Sequence, residues 1–314
     1  MDIVGLDYPC MDMNLLCSAM PAEGELVPME DLSIQGGGKV PNAILAVARL
    51  GSRCAMIGIT GDDRYGRLCK EDLAAHGVDV SALQLQPGGT ALCVSIVAGG
   101  KKHYIEHPAG HRMLRPEEIL ESQLAGAKYL MLYQMDAAAI AAARLARNLG
   151  VKVVVDADEY DQRLVDHLGL IDVLIASEYF YQAACRGINM EDDLRALAAK
   201  GPETVIVTMG EKGSVGLEKG VLFKADAWKI DHVVDTTGAG DVFHGAFCHY
   251  LCQGCQAKDA ARLAGAVSAV KCMFFGGRAG IPDEEIAAHF RACGEVKPGA
   301  MDERLAYYRS LAWQ

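Results

Sequence analysis

From Lys128 to Gly210 the chain alternates short apolar or β-branched runs with stretches of helical spacing. KYLMLYQ precedes DAAAIAAARLARNLG, VKVVVDAD precedes EYDQRLVDHLG, DVLIAS precedes EYFYQAACRG, and TVIVTMG follows MEDDLRALAAKG. Short apolar runs bounded by Gly and Asp read as strands buried on both faces, and their alternation with helices requires right-handed crossovers in a parallel sheet. This predicts a three-layer αβα sandwich with a mostly parallel, doubly wound sheet, whose ligands lie outside the carboxyl ends of the strands. The N-terminal third reads differently. MNLLCSAM, ELVPMEDLSI, TALCVSIVAG and KKHYIEH are short, partly alternating runs, interrupted by the helical PNAILAVARLG and DDRYGRLCKEDLAAHG. They predict a small, mostly antiparallel sheet from segments near 10–35 and 90–110, protruding as a lid. No linker rich in Pro, Gly or Ser separates the parts, so residues 1–314 are expected to form one domain with the lid built from insertions.

A content of 51% hydrophobic residues supplies the core such a domain needs. No apolar run reaches the roughly eighteen residues of a membrane span. Asp2, Asp7 and Asp12 stand where a signal peptide would be basic and then apolar, so a cytoplasmic protein is expected. The eleven cysteines show no repeated spacing, and the close pair Cys252 and Cys255 has no second pair to complete a zinc site; they read as thiols. A net charge of −11 without a basic block argues against a nucleic-acid surface. Any phosphate must then be held by local features against the overall field.

VVDTTGAGDVFHGAF, Val233 to Phe247, offers such features. Alternation before it (VLFKADAWKI, then VV) and helical spacing after it read as a strand-to-helix turn. The first amides of a helix lack intrahelical partners and the macrodipole adds positive charge there, so an anion belongs at this end. Gly238, Ala239 and Gly240 let a phosphate approach the backbone. Asp241, in the first helical turn, would repel that phosphate unless it had another task, and general base is the natural one; the alternative is an N-terminal helix acid beyond a tight turn. In QGGGKVPNAILAVARLG, Gln35 to Gly51, a P-loop reading fails because Val40 and Pro41 follow Lys39 where Ser or Thr is required. Pro41 fits a first helical turn, and Asn42 either binds a ligand over the helix start or only caps the helix.

With both stretches in hand, the chain resembles the ribokinase-like, or PfkB, family of carbohydrate and nucleoside kinases, from Ile3 to about Phe290. The resemblance implies an ATP-dependent kinase acting on a hydroxymethyl group of a sugar or sugar-like acceptor. In it Asp241 matches the catalytic base, and Gly238, Ala239 and Gly240 the anion hole. Asp12, Gly37, Gly38 and Asn42 match the acceptor site. Asp136 falls near an acceptor-site carboxylate, although a cap on the alanine-rich helix explains it equally well. On the nucleotide side Thr208 and Gly210 of VIVTMGEKGS would contact ATP, with the helix from Ala257 to Phe275 and FFGGRAGIP enclosing the adenine. Asp235 and Thr237 match two ligands of a monovalent cation such as K⁺, with carbonyls near Gly276 and Gly280 as others. One departure stands out: where relatives carry NxxE for Mg²⁺ and phosphate, this chain has Ser177, Glu178, Tyr179 and Phe180. Ser177 can replace the Asn and Glu178 can serve from a shifted position, or Mg²⁺ rests on ATP oxygens and water.

Two other classes bear on the reading. A non-catalytic nucleotide-binding regulator on this fold would keep the glycines but lose the base, which Asp241 counts against; a Rossmann dehydrogenase needs GxGxxG after the first strand, absent from Gly5 to Cys10. A nucleoside acceptor would need an apolar slot, and the low aromatic content of 6% disfavours it. His103, His107, His111 and Arg112 either favour an acidic or phosphorylated acceptor or are solvated loop residues. A homodimer through the lid is expected because sheet edges and faces seek cover.

Overall fold

Hydrogen bonding places the first strand inside the main sheet, third from one edge. The computed structural model describes residues 1–185 and 189–313. β1 (Ile3–Leu6) is followed by β2 (Cys10–Cys17) and β3 (Met29–Gly37), then by α1 (Lys39–Arg49), β4 (Cys54–Gly61), α2 (Arg64–Ala75) and β5 (Leu83–Gln86). β6 (Leu92–Ala98) and β7 (Lys101–His107) precede the short α3 (Glu121–Leu124). The alternating half then runs β8 (Tyr129–Leu132), α4 (Ala137–Asn148), β9 (Lys152–Ala157), α5 (Gln162–Asp166), β10 (Val173–Ser177), α6 (Glu178–Ala184), α7 (Met190–Ala198) and β11 (Thr204–Thr208). The Arg186–Gly187 end of EYFYQAACRG lies outside the described residues. β12 (Ser214–Glu218) and β13 (Val221–Ala225) precede four helices, α8 (Ala239–Cys252), α9 (Ala257–Cys272), α10 (Glu284–Cys293) and α11 (Asp302–Ser310).

Nine strands form the main sheet in the order β13-β12-β11-β10-β9-β8-β1-β4-β5. Its pairings are parallel from β11 to β5, while β12 and β13 add an antiparallel edge. Alternate strand residues enter two cores. Ile3, Met131, Val154, Ile175 and Ile206 face α1, α8 and α9, whereas Leu6, Leu130, Val155, Leu174 and Val205 face α4, α6 and α7. Strands buried on both sides carry no polar alternation. The chain winds away from β1 in both directions, and the crevice between β1 and β8 opens at this switch.

The second sheet has the order β3-β2-β6-β7, with β2–β3 and β6–β7 antiparallel and β2–β6 parallel. Register puts Asp12 beside Gln35 and Cys93, and Cys93 beside Glu106, so these side chains share one face. The opposite face carries Met13, Ile34, Val94 and Ile105.

The expected strand before the glycine motif is shorter than its alternation. β13 ends at Ala225, and Asp226 to Thr237 form no strand. Trp228 there packs on Phe290 and its indole N–H donates to the Arg262 carbonyl at 2.8 Å. The alternating side chains are satisfied by helices α9 and α10 rather than by another strand. All eleven cysteines are unpaired, and among the described residues no helix is long and apolar enough to cross a membrane.

Candidate active site

Two helix starts meet at the centre of the molecule. α8 begins after Gly238, whose φ of 72° is a left-handed conformation that a side chain would strain. Among the described residues the amides of Gly240 and Asp241 engage no backbone acceptor, which leaves donors facing outward at the positive end of the helix. α1 crosses α8 closely because Gly245 has no side chain: a Cβ there would lie 2.1 Å from the Ala43 carbonyl oxygen. That crossing sets Asn42 of α1 against Asp241 of α8, with Nδ2 donating to Oδ2 at 2.9 Å. Gly38, not Asn42, is the cap of α1. Asn42 is buried and accepts from Arg278 Nε at 2.8 Å on its Oδ1. Because Arg offers only donors and a carboxylate only acceptors, the amide has one orientation.

Asp241 is half-buried. Burial pushes its carboxyl up from the ordinary range; Lys39 opposes that, Asp156 adds to it, and the Asn42 hydrogen bond holds it back. A raised carboxyl beside free amides suits proton abstraction. Asp12 is buried too and is pushed up to about 7, chiefly by burial, with Arg278 and the Cys10 thiol opposing. Gly37 gives it room: a Cβ there would sit 2.2 Å from Asp12 Oδ1. Asp12, Asn42 and Thr237 all surround Gly277, whose missing Cβ would lie 3.8 Å from Asp12 Oδ2 and 3.8 Å from Asn42 Nδ2. The expected acceptor residues Asp12, Gly37, Gly38 and Asn42 therefore converge with Asp241.

Asp136 is the N-cap of α4, accepting from the Ala139 amide at 2.8 Å and from the Tyr8 hydroxyl at 3.0 Å. Both oxygens are engaged, as the capping alternative expects. Arg112 is tied to Glu118 by two hydrogen bonds of 2.6 and 2.7 Å, and His111 is buried beside Tyr8. His103 and His107 pair with Ile96 and Leu92, on the sheet face opposite Asp12. Of the donors expected for an acidic acceptor, Arg112, His103 and His107 thus point elsewhere.

The residues expected on the nucleotide side form a row along the carboxyl edge of the sheet. Ser177 and Thr208 are register partners at the ends of β10 and β11, and Gly210, with φ 55°, opens the turn that follows. Ser177 caps α6, accepting from the Phe180 amide at 3.0 Å, and its hydroxyl donates to the Asp158 carbonyl at 2.5 Å. Glu178 is partly exposed and lies 3.5 Å from Lys212. Phe180 is in the core. Neither Ser177 nor Glu178 is therefore arranged as a metal ligand, and among the described residues no three His, Cys, Asp or Glu side chains gather on one point. These residues do not fit a protein-held Mg²⁺.

Three buried or half-buried cations were not singled out by the sequence. Lys39 pairs with Asp158; burial works against its charge, but Asp156, Asp241 and Asp158 hold the ammonium well above its usual range. Arg278, fully buried, also donates to Asp72 Oδ2 at 2.7 Å and to the Gly37 carbonyl at 3.1 Å. Tyr308 of α11 completes Asp72 at 2.8 Å. Lys271 of α9, also fully buried, donates to the Asp235 carbonyl at 2.8 Å. A lysine after glycines and an arginine between them were visible as letters, but nothing local told a buried partner from a solvated side chain.

The family description "pfkB family carbohydrate kinase" matches residues 2–284. A ribokinase of Haemophilus influenzae is 28% identical over 280 residues, covering 85% of this chain and 90% of the relative. A 5-dehydro-2-deoxygluconokinase of Shouchella clausii is 27% identical over 294 residues, covering 86% and 89%. A structure from E. coli, solved in complex with ATP and Mg²⁺, superposes with a TM-score of 0.81 at 20% identity, covering 93% of this chain and 99% of that one.

Proposed function

The chain belongs to the pfkB family of carbohydrate kinases, and within that ATP-dependent chemistry we propose that its acceptor is a neutral, polyhydroxylated sugar or sugar-like molecule phosphorylated on a hydroxymethyl group. The observation that carries the reading is the contact of Asn42 with Asp241 at 2.9 Å, where the base stands beside free amides and its hydrogen-bond partner is a neutral amide. Asp241 takes the proton of the acceptor hydroxyl. The acceptor oxygen then bonds to the γ-phosphorus as the bond from phosphorus to the ADP oxygen breaks, and the free amides of Gly238, Gly240 and Asp241 bear the charge on the transferring group. Lys39, beside Asp158 at the same edge, faces the phosphates. Among the described residues no side chain is arranged to hold Mg²⁺; a Mg²⁺ carried by the nucleotide itself would offset phosphate charge.

Asp12 supports the acceptor reading, because a buried carboxyl next to Gly37 accepts from sugar hydroxyls. Glu106 shares its face and raises it further. Two acids on one wall repel a carboxylate or phosphate on the acceptor, which favours a neutral sugar over a sugar acid. The small sheet roofs the site and serves as its lid. Its opposite face, with Met13, Val94 and the 63% exposed Ile105, is apolar enough to meet a second copy.

Asp241→Asn, assayed for phosphate transfer against a panel of sugars, sugar acids and nucleosides, is expected to melt like the parent and to lose about 10²–10⁴-fold in turnover. Turnover near that of the parent would refute the assignment of the base, and preference for a sugar acid would refute the neutral acceptor.

A further inference from the structure

The site expected for a monovalent cation is built differently. Asp235 is buried, and its two carboxylate oxygens accept from the amides of Thr237 at 2.8 Å and Gly276 at 2.9 Å. Its carbonyl oxygen accepts from the Lys271 ammonium at 2.8 Å. A metal ion taking that carbonyl as a ligand would lie against a fixed positive charge. The oxygens of Asp235 do not fit an added cation.

Lys271 is placed to act in its stead. It lies in the last turn of α9, where the helix dipole favours a cation. One turn earlier on the same face, Ser268 donates to the Ala239 carbonyl at 2.8 Å. α9 therefore grips both ends of the segment from Asp235 to Ala239, which carries the anion hole. Burial lowers the pKa of Lys271 and the Lys102 charge lowers it further; the Asp235 carboxylate opposes them without cancelling the downward shift. Burial likewise works against ionised Asp235, but Lys271 and the donors of Thr237 and Gly276 outweigh it and hold that carboxyl low.

We propose that the Lys271 ammonium is the built-in cation of the anion hole, so that catalysis does not depend on K⁺. It holds the backbone that presents the amides of Gly238, Gly240 and Asp241 and adds positive potential where phosphoryl charge develops, without contacting the substrate; it is a positioning residue. The inference rests on the kinase reading, and its test separates the two.

The parent protein is assayed in KCl and in choline chloride at equal ionic strength, with the sugar found in the panel as acceptor. Turnover and the KM for ATP are expected to agree within about threefold, because an ion needed for charge stabilisation is worth far more than that. Larger activation by K⁺ overturns the proposal. Its melting temperature, read without substrates, is expected to be the same in both salts, and specific stabilisation by K⁺ overturns it as well, since an ion that binds the native state stabilises it. Lys271→Ala is expected to lose about tenfold or more in kcat in choline chloride and to regain part of it in KCl or NH₄Cl. Unchanged turnover of that variant in choline chloride overturns the proposal. Should the variant not fold, the two measurements on the parent decide alone. A protein that phosphorylates nothing in the panel sinks the kinase reading, while the melting curves still report on the cation.

Discussion

Replacing Arg278 by Met tests whether Asp241, the proposed base, is positioned from a distance. The guanidinium is fully buried and joins Asn42 Oδ1 at 2.8 Å to Asp72 Oδ2 at 2.7 Å. Without it, the buried Asp72 keeps only the Tyr308 hydroxyl and a His76 nitrogen 3.6 Å away. Removing one partner of a buried pair costs about 3–5 kcal/mol, which for a domain of this size lowers the melting temperature by on the order of 10 °C. The kinetic effect is separate. Asn42 loses the donor that pins its oxygen, and its amide can swing away from Asp241. A hydrogen bond to a charged group is worth about 1.5–3 kcal/mol, so kcat should fall roughly tenfold to a hundredfold. Arg278→Lys keeps charge near Asp72 but lacks the fork that reaches both partners, so it should recover part of the melting loss and little of the rate. In an Asn42→Ala background, Arg278→Met should cost almost nothing further in kcat. A variant that melts lower yet turns over within about threefold of the parent, or rate losses that simply add in the double mutant, would refute the reasoning.

Acceptor binding should depend on pH through Asp12. Its carboxyl is raised from 3.8 to about 7, so it is protonated in slightly acid solution and becomes a full acceptor only above neutrality. The KM for the acceptor should fall as pH rises from 6 to 8, and Asp12→Asn should flatten that dependence; a profile unchanged by the substitution would refute it. The sign for stability is opposite. The native state holds a proton that the unfolded chain releases near 3.8, so the contribution is full below that value and is lost as pH rises through about 7. Denaturant titrations of the parent and Asp12→Asn should differ accordingly across that window. The apolar face of the small sheet predicts a dimer in sedimentation experiments at micromolar concentration, broken by Ile105→Asp; a monomeric parent would refute it.

What was legible in the letters follows from the range of the interaction that encodes it. Buried parallel strands reveal themselves locally, because Val153 to Val155 or Val205 to Val207 must be apolar on both faces. The glycine motifs were legible for the same reason, since Gly238 must take a positive φ and its neighbours must leave amides bare. Asp136 was ambiguous because a cap and a ligand use the same side chain at the same helix start. The run after Ala225 misled because alternation reports burial on one side, and helices α9 and α10 bury Trp228 as well as a strand would. Arg278 and Tyr308 were not legible at all. Their partner Asp72 lies 206 residues from Arg278 and 236 from Tyr308, and Tyr308 stands beyond the residues that match the family.

The charge problem posed by composition is resolved by these distant residues. A chain with a net charge of −11 gathers Asp7, Asp12, Asp156 and Asp241 around a site that must admit ATP. Burial raises Asp7 to about 6, with Asp241 and Asp156 pushing it the same way, so the acids already disfavour one another. Adding a nucleotide would be prohibitive if bare amides were the sole positive feature. Lys39, Lys271 and Arg278 each enter from a different element, and each is anchored to an oxygen before any ligand arrives. Because they are fixed, their field needs little reorganisation when charge moves onto the transferring phosphoryl group. Because they are withdrawn from solvent, salt screens them weakly. Turnover at saturating ATP should therefore change little between low and moderate ionic strength, while the KM for ATP, which senses the acidic surface, should fall as salt is added. A kcat that drops steeply with salt would place the working cations at the surface and contradict this account.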